Sequence, residues 1–192
     1  MTDKIILTDI DGVILDWETQ FHKWMNARGH NIVKKGIYHM DEAYALSIDR
    51  AEQYLNDFNT SAYIIGLPTF RDAVSGIATL KDAGYRFIAI TSVGENSYTD
   101  KLRKINLEEH FGKDTFVEIH CIGENKLPLL ANYTDTSNFW IEDSPKNADI
   151  GVDLGYKTFL LNHPHNQFYK NGSVIRVDNW GEICKTILET TW

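Results

Sequence analysis

Asp9 and Asp11 stand two residues apart where a short apolar run ends, and a second acidic pair, Glu142-Asp143, follows another apolar run far along the chain. Thr91-Ser92 closes a third such run, and Lys126 lies between them. Carboxylates gathered in one place repel each other unless a cation or shared protons intervene. A hard divalent ion with oxygen ligands meets that need, and magnesium requires only one or two carboxylates beside water and a substrate phosphate. Alone, Asp9-Ile10-Asp11-Gly12 would read as a solvated turn. Behind a buried strand, and matched by later acids, it reads as the centre of a site.

The elements that must position these residues follow from periodicity. Residues 5–8 form a short branched apolar run, a buried parallel strand ending in a turn. From Asp16 the period becomes helical, with Trp17, Phe21, Trp24 and Met25 on one face and Gly29 as a stop. A second helical stretch covers about residues 41–58, and no good strand occurs between Gly12 and Gly66. After Pro68 strands and helices alternate. Thr69-Phe70-Arg71-Asp72 resembles a capping box for a helix that Gly84 ends. Strands are expected at 87–90, 116–122, 139–141, 158–161 and 174–177, with helices at about 98–109, from near Asn125, up to Leu154, and over 180–189. The alternation predicts an α/β fold, a Rossmann-like parallel sheet with helices on both faces. In such sheets ligands bind outside the carboxyl ends of the strands, and Asp9, Asp11, Thr91, Ser92, Glu142 and Asp143 all follow strands directly.

Bulk properties narrow the classes. The chain has 192 residues, 43% hydrophobic and 24% charged, enough for one ordinary domain or a core with a small insertion. A net charge of −8 makes it a poor candidate for binding long nucleic acid, though a single nucleotide could still find a locally positive pocket. The two cysteines, Cys121 and Cys184, match no metal-ligand spacing and read as reduced thiols of a cytoplasmic protein. No apolar run approaches a membrane span, and the N-terminal residues do not read as a signal peptide. Oligomeric state is not legible at this level.

The motifs resemble those of the haloacid dehalogenase-like superfamily. Thr8-Asp9-Ile10-Asp11-Gly12-Val13-Ile14 resembles its first motif, Ala89-Ile90-Thr91-Ser92 its second, Lys126 its third, and Trp140-Ile141-Glu142-Asp143-Ser144-Pro145 its acidic fourth. The resemblance implies an α/β core over residues 1–14 and 71–192, with a helical cap over 15–70. It also implies roles. Asp9 is the nucleophile that becomes phosphorylated, and Asp11 the general acid and base. Asp9, Asp143 and the backbone carbonyl of Asp11 are the magnesium ligands, and Glu142 acts through a metal-bound water or fixes Asp143. Thr91, Ser92 and Lys126 bind the phosphoryl group. Asp11 points to phosphoryl chemistry, since the dehalogenase branch lacks that second Asp.

For substrate, the opening Asp9 to Trp17, the pair Leu67-Pro68 and the segment Asn179-Trp180 resemble 5'(3')-deoxyribonucleotidases. That resemblance implies a small phosphorylated metabolite, with a nucleoside monophosphate foremost and Trp17 and Phe21 at the substrate rim. Val93-Gly94-Glu95 departs from that family, and Glu142-Asp143 is similar to many sugar-phosphate phosphatases. A sugar-phosphate phosphatase or phosphomutase, and a silent binding protein of the same fold, therefore stay open. A polynucleotide end-phosphatase is disfavoured by the charge. His163-Pro164-His165 could bind a transition metal, but no third ligand is evident, and a loop with ordinary histidines is the expectation.

Overall fold

The computed structural model describes residues 4–94, 96–123 and 125–190. Met1, Thr2 and Asp3, Glu95 of the loop quoted above, Glu124, Thr191 and Trp192 lie outside the described residues. Six strands, β1 (Lys4–Thr8), β2 (Tyr85–Ser92), β3 (Phe116–Ile122), β4 (Ser137–Glu142), β5 (Lys157–Leu161) and β6 (Ile175–Val177), form one sheet in the order β3-β2-β1-β4-β5-β6. Every pairing is parallel. The strand order reverses between β1 and β4, so a crevice opens beyond their carboxyl ends. Asp9 and Asp143 flank that crevice, one residue past each strand.

Eight α-helices are described: α1 (Trp17–Asn26), α2 (Met40–Tyr44), α3 (Ile48–Asn59), α4 (Ala73–Asp82), α5 (Ser97–Phe111), α6 (Leu127–Ala131), α7 (Pro145–Asp153) and α8 (Trp180–Thr190). Alternate strand residues point to opposite faces. Ile6, Phe87, Ala89, Ile141 and Phe159 pack with Ile77, Leu80, Leu107, Trp180 and Ile183 of α4, α5 and α8. Leu7, Ile88, Ile90 and Trp140 pack on the other face with Leu130 of α6 and with Ile150 and Leu154. Burial on both faces is why these strands read as continuous apolar runs rather than alternating ones.

Two local details differ from the periodicity reading. The stretch expected as one helix over 41–58 is two, because Ala45 takes a left-handed conformation (φ 53°) and ends α2. Ser47 then caps α3, accepting from the Arg50 N–H. The capping box at Thr69 does not form. Asp72 instead sends its carboxylate to the backbone N–H groups of Trp180 (2.8 Å) and Gly181 (2.9 Å), capping α8 across the fold. Gly76 on α4 makes that approach close, since a Cβ there would lie 2.4 Å from Trp180 Cβ.

Among the described residues, 17–66 hold only helical elements, including a 3₁₀ turn at Ala62–Gly66. Phe21, Trp24, Tyr44 and Phe58 form an aromatic cluster there. This segment is tied back to the core: Asn106 donates to the carbonyls of Ile65 (2.7 Å) and Leu67 (2.9 Å). No helix among the described residues is long and apolar enough to cross a membrane.

Candidate active site

β1 delivers Asp9 at a point where its own N–H still pairs with the Ile141 carbonyl of β4 (2.9 Å). The chain then makes a tight turn, with Val13, Ile14 and Leu15 N–H groups all converging on the Ile10 carbonyl. Trp180 Nε1 closes the turn on the Val13 carbonyl at 2.9 Å. The nucleophile candidate therefore sits on rigid elements rather than on a free loop. Asp9 Oδ1 accepts from the Ile10 N–H (2.7 Å) and from Lys126 Nζ (2.9 Å). No hydrogen bond among the described residues engages its other oxygen.

Lys126 is 1% exposed and bridges Asp9 to Glu142 Oε1 at 2.8 Å. Its Nζ also lies 5.2 Å from the centre of the Trp140 ring. Burial alone would lower its pKa, but the Asp9 and Glu142 carboxylates override burial and push it up. Glu142 is fully buried, with both oxygens occupied. Oε1 takes Lys126 and Asn147 Nδ2, while Oε2 takes the N–H groups of Asp143 (2.6 Å) and Ser144 (2.9 Å). Burial acts to raise its pKa, and the Lys126 charge and these donors turn the balance downward. Glu142 thus anchors the lysine and fixes the loop that carries Asp143.

Asp9, Glu142 and Asp143 each place a carboxylate oxygen within 4.8 Å of the others. Three carboxylates share one ammonium, so two negative charges are left over, and a divalent ion matches that balance. Burial, then Glu142, raises the Asp9 pKa to about 8, with Lys126 opposing. Burial, Glu142 and Asp9 hold Asp143 well above the ordinary carboxylate range. An all-oxygen set of this kind fits magnesium. Gly12 (φ +79°) completes the cradle, because a Cβ there would lie 2.4 Å from Asp143 Oδ2. Gly12→Ala is accordingly expected to cost about 1–2 kcal/mol for the left-handed backbone and to weaken magnesium binding about tenfold or more by displacing Asp143. Thermal melts with and without magnesium check this; an unchanged magnesium response would contradict it.

Asp11 pairs with a different cation: its Oδ2 accepts from Arg103 Nη2 (2.8 Å) and from Thr91 Oγ1 (3.3 Å). Burial raises the Asp11 pKa, while Arg103 and Thr91 pull it back. Thr91 is buried with its hydroxyl on Asp11, and Ser92 is exposed at the end of β2. The structure therefore gathers Asp9, Asp11, Thr91, Lys126, Glu142 and Asp143 at one sheet edge, with Ser92 beside them.

The rim residues divide. Phe21 is 1% exposed, stacked on Trp17 at 4.8 Å and enclosed by Trp24, Tyr44 and Phe58, so it packs inside the helical segment. Trp17 is half-buried, with its indole N–H on Asn59 Oδ1 (2.8 Å).

Sequence reasoning missed three supports. Arg103 is one. The second is His163, whose Nε2–H donates to the Gly12 carbonyl at 2.7 Å while its ring accepts from the Asn166 N–H. The third is Asn166, which donates to the carbonyls of Asp143 and Leu161, both at 2.8 Å. The folded chain does bring Glu18 within 4.8 Å of His163 and His165. Both ring nitrogens of His163 are already engaged, however, and His165 Nε2 sits 3.1 Å from the Asp143 carbonyl. Burial pushes His163 down to about 4, so the ring is neutral at physiological pH. These side chains brace the Gly12 and Asp143 loops. Tyr38 from the helical segment packs edge-on against His165, with ring centres 5.1 Å apart.

Comparison with known proteins adds the fold. No protein-family profile matches the chain, and no curated protein does. Solved structures do. A predicted phosphatase from Clostridium acetobutylicum superposes with a TM-score of 0.68 at 14% identity, covering 97% of this chain and 99% of that one. CbbY from Rhodobacter sphaeroides, solved with phosphate, gives 0.63 at 16% identity over 94% and 96% of the two chains. A mutant of CbbY was solved with xylulose-1,5-bisphosphate. An L-2-haloacid dehalogenase gives 0.59 at 14% identity over 96% and 99%. The fold is that of the haloacid dehalogenase-like hydrolases. Phosphatases and dehalogenases share it, so the choice between their chemistries rests on the residues of this chain.

Proposed function

We propose that this protein is a magnesium-dependent phosphomonoesterase that works through an aspartyl phosphate on Asp9. The observation that carries the proposal is the state of Asp9. One carboxylate oxygen is pinned by Lys126 and the Ile10 N–H, no hydrogen bond among the described residues engages the other, and the group lies within 4.8 Å of a carboxylate oxygen of Asp143. Asp9 and Asp143 would hold the magnesium ion, with the Asp11 backbone carbonyl. Once bound, the ion would act as a Lewis acid on the phosphoryl oxygens.

The chain's own residues supply the rest. Asp9 attacks phosphorus, and Lys126 neutralises charge on Asp9 and on the phosphoryl group. Asp11 protonates the leaving oxygen and later takes a proton from the attacking water. Backbone N–H groups near Ser92 bind phosphoryl oxygens; Thr91, expected from the sequence to do so, has its hydroxyl on Asp11 and supports that carboxyl group instead. The helical segment 15–70 acts as a lid over a water-sensitive acyl phosphate, reaching the site edge through Tyr38 on His165. Asp11 favours phosphoryl transfer over dehalogenation, because only the former needs a proton donor for an ester oxygen.

For the substrate we propose a small phosphorylated metabolite. A nucleoside monophosphate is the first choice, with half-buried Trp17 as the aromatic face that would receive a base. A sugar phosphate is the second, favoured by the Glu142-Asp143 pair and by the sugar bisphosphate held by CbbY. Phosphate release is to be measured across nucleotides and sugar phosphates with magnesium and with EDTA. The expected outcome is magnesium-dependent release from one of these classes. Interconversion of phosphate isomers without release would make the protein a mutase. Binding of an ester with no turnover would make it a silent member of the fold.

A further inference from the structure

Arg103 lies in the middle of α5 and is completely buried. A guanidinium at such a depth needs an anion, and among the described residues the one it meets is Asp11 Oδ2, 2.8 Å from Nη2. Thr91 Oγ1 donates to that same oxygen. Asp11 Oδ1 is also buried and has no hydrogen-bond partner among the described residues. Nε and Nη1 of Arg103 are likewise unpartnered among the described residues, as is Thr99 Oγ1 one turn earlier on the same helix.

We propose that Arg103 is a positioning residue for the proton donor: it clamps Asp11 by Oδ2 and so fixes the rotamer in which Asp11 stands beside Asp9. A completely buried guanidinium cannot leave its anion without being stranded, so the pair holds its geometry. Arginine stays charged throughout and cannot itself give the proton.

The inference rests on the phosphomonoesterase reading and deepens it. In the first step the Asp9 oxygen bonds to phosphorus as the ester P–O bond breaks. The electron pair of that bond stays on the ester oxygen, which takes the proton from the Asp11 carboxyl group and leaves as an alcohol. In the second step water bonds to phosphorus and gives a proton to the Asp11 carboxylate. The Asp9–phosphorus bond breaks with its electron pair returning to the carboxylate. A clamped donor matters most where the leaving oxygen is a poor anion. The substrate class it fits is thus the phosphate ester of an aliphatic alcohol, as in sugars and nucleosides.

The test compares an alkyl phosphate with p-nitrophenyl phosphate, whose leaving group departs as an anion, in Arg103→Met and Arg103→Lys. For Arg103→Met, kcat on the alkyl ester is expected to fall about 100-fold, the low end for a lost general acid. On the nitrophenyl ester it should fall far less. Arg103→Lys should recover part of the alkyl activity, and it reads the same split if Arg103→Met does not fold. Equal losses on both esters, or no loss on either, would overturn the clamp. A crystal structure of either variant decides the matter without any turnover. Asp11 should leave its observed rotamer, and Asp11 unmoved would overturn the proposal. If wild-type protein hydrolyses no ester, the phosphatase reading fails separately, and the rotamer still settles whether Arg103 holds Asp11.

Discussion

Asp9→Asn is expected to abolish phosphate release, by about 10⁴-fold or more, the scale seen when a covalent nucleophile is removed. The same substitution is expected to make the metal-free protein more stable. Asp9 has a pKa raised to about 8 by burial and by Glu142, so its ionised form is unfavourable in the folded chain. The sign follows from linkage. A carboxylate whose folded pKa lies above its unfolded value near 4 destabilises the fold progressively as pH rises between the two, and fully above about 8. Asparagine removes that charge while keeping the shape. In EDTA the variant should therefore melt higher than wild type, with the gap widening toward pH 8. Adding magnesium should shrink the gap, because a bound cation relieves the same repulsion in wild type. Turnover by Asp9→Asn comparable to wild type would refute the nucleophile. Equal melting temperatures in EDTA would refute the electrostatic account of the site.

Lys126→Met should have the largest effect on stability. It deletes the buried cation between Asp9 and Glu142, at 2.9 and 2.8 Å, and leaves a fully buried carboxylate facing an apolar chain. Breaking a buried pair in this way costs about 3–5 kcal/mol. For a chain of this size that is a fall of about 10 °C in Tm. The pH dependence identifies the cause. In wild type the Glu142 pKa is depressed below its ordinary 4.5, so its contribution is present above that pH and is lost in acid. Without Lys126, burial dominates and the folded pKa of Glu142 rises above the unfolded value. The deficit of the variant should then be largest at neutral and alkaline pH and shrink as pH falls toward 5. Thermal melts from pH 5 to 8 distinguish this from a packing defect, which would cost the same at every pH. Activity should be lost as well, because Lys126 holds one oxygen of the proposed nucleophile.

The sheet was legible because its chemistry sits where strands end. Apolar runs of three or four residues, at 5–7, 87–90 and 139–141, that lead into Asp9, Thr91 and Glu142 define both the strands and the edge they share. The helix boundaries within 15–70 were less so. Ala45 breaks the helix by adopting a positive φ, and nothing in an alanine announces that. Asp72 reads locally as part of a capping box, yet its carboxylate caps a helix 108 residues later, a partner that sequence periodicity cannot reveal. The same holds for Arg103. It lies 92 residues from Asp11, and on a helix an arginine reads as a solvated side chain until the fold is known. Thr99, Arg103 and Asn106 share one face of α5, and only the fold shows that this polar face is buried. His163 drew attention through the His-Pro-His spacing, but its function as a brace depends on the Gly12 carbonyl and Asn166. Phe21 shows the opposite failure. A shared aromatic face was visible, and whether it lined a pocket or filled a core depended on Phe58 and Tyr44 folding over it.

The most direct test of the central claim is to stop the reaction in acid during turnover of the best phosphate ester and determine by mass spectrometry which residue carries phosphate. The account predicts a single phosphoryl group on the peptide containing Asp9, absent without magnesium and absent in Asp9→Asn. Sustained phosphate release with phosphorylation on another side chain, or with Asp9 unmodified and dispensable, would contradict it.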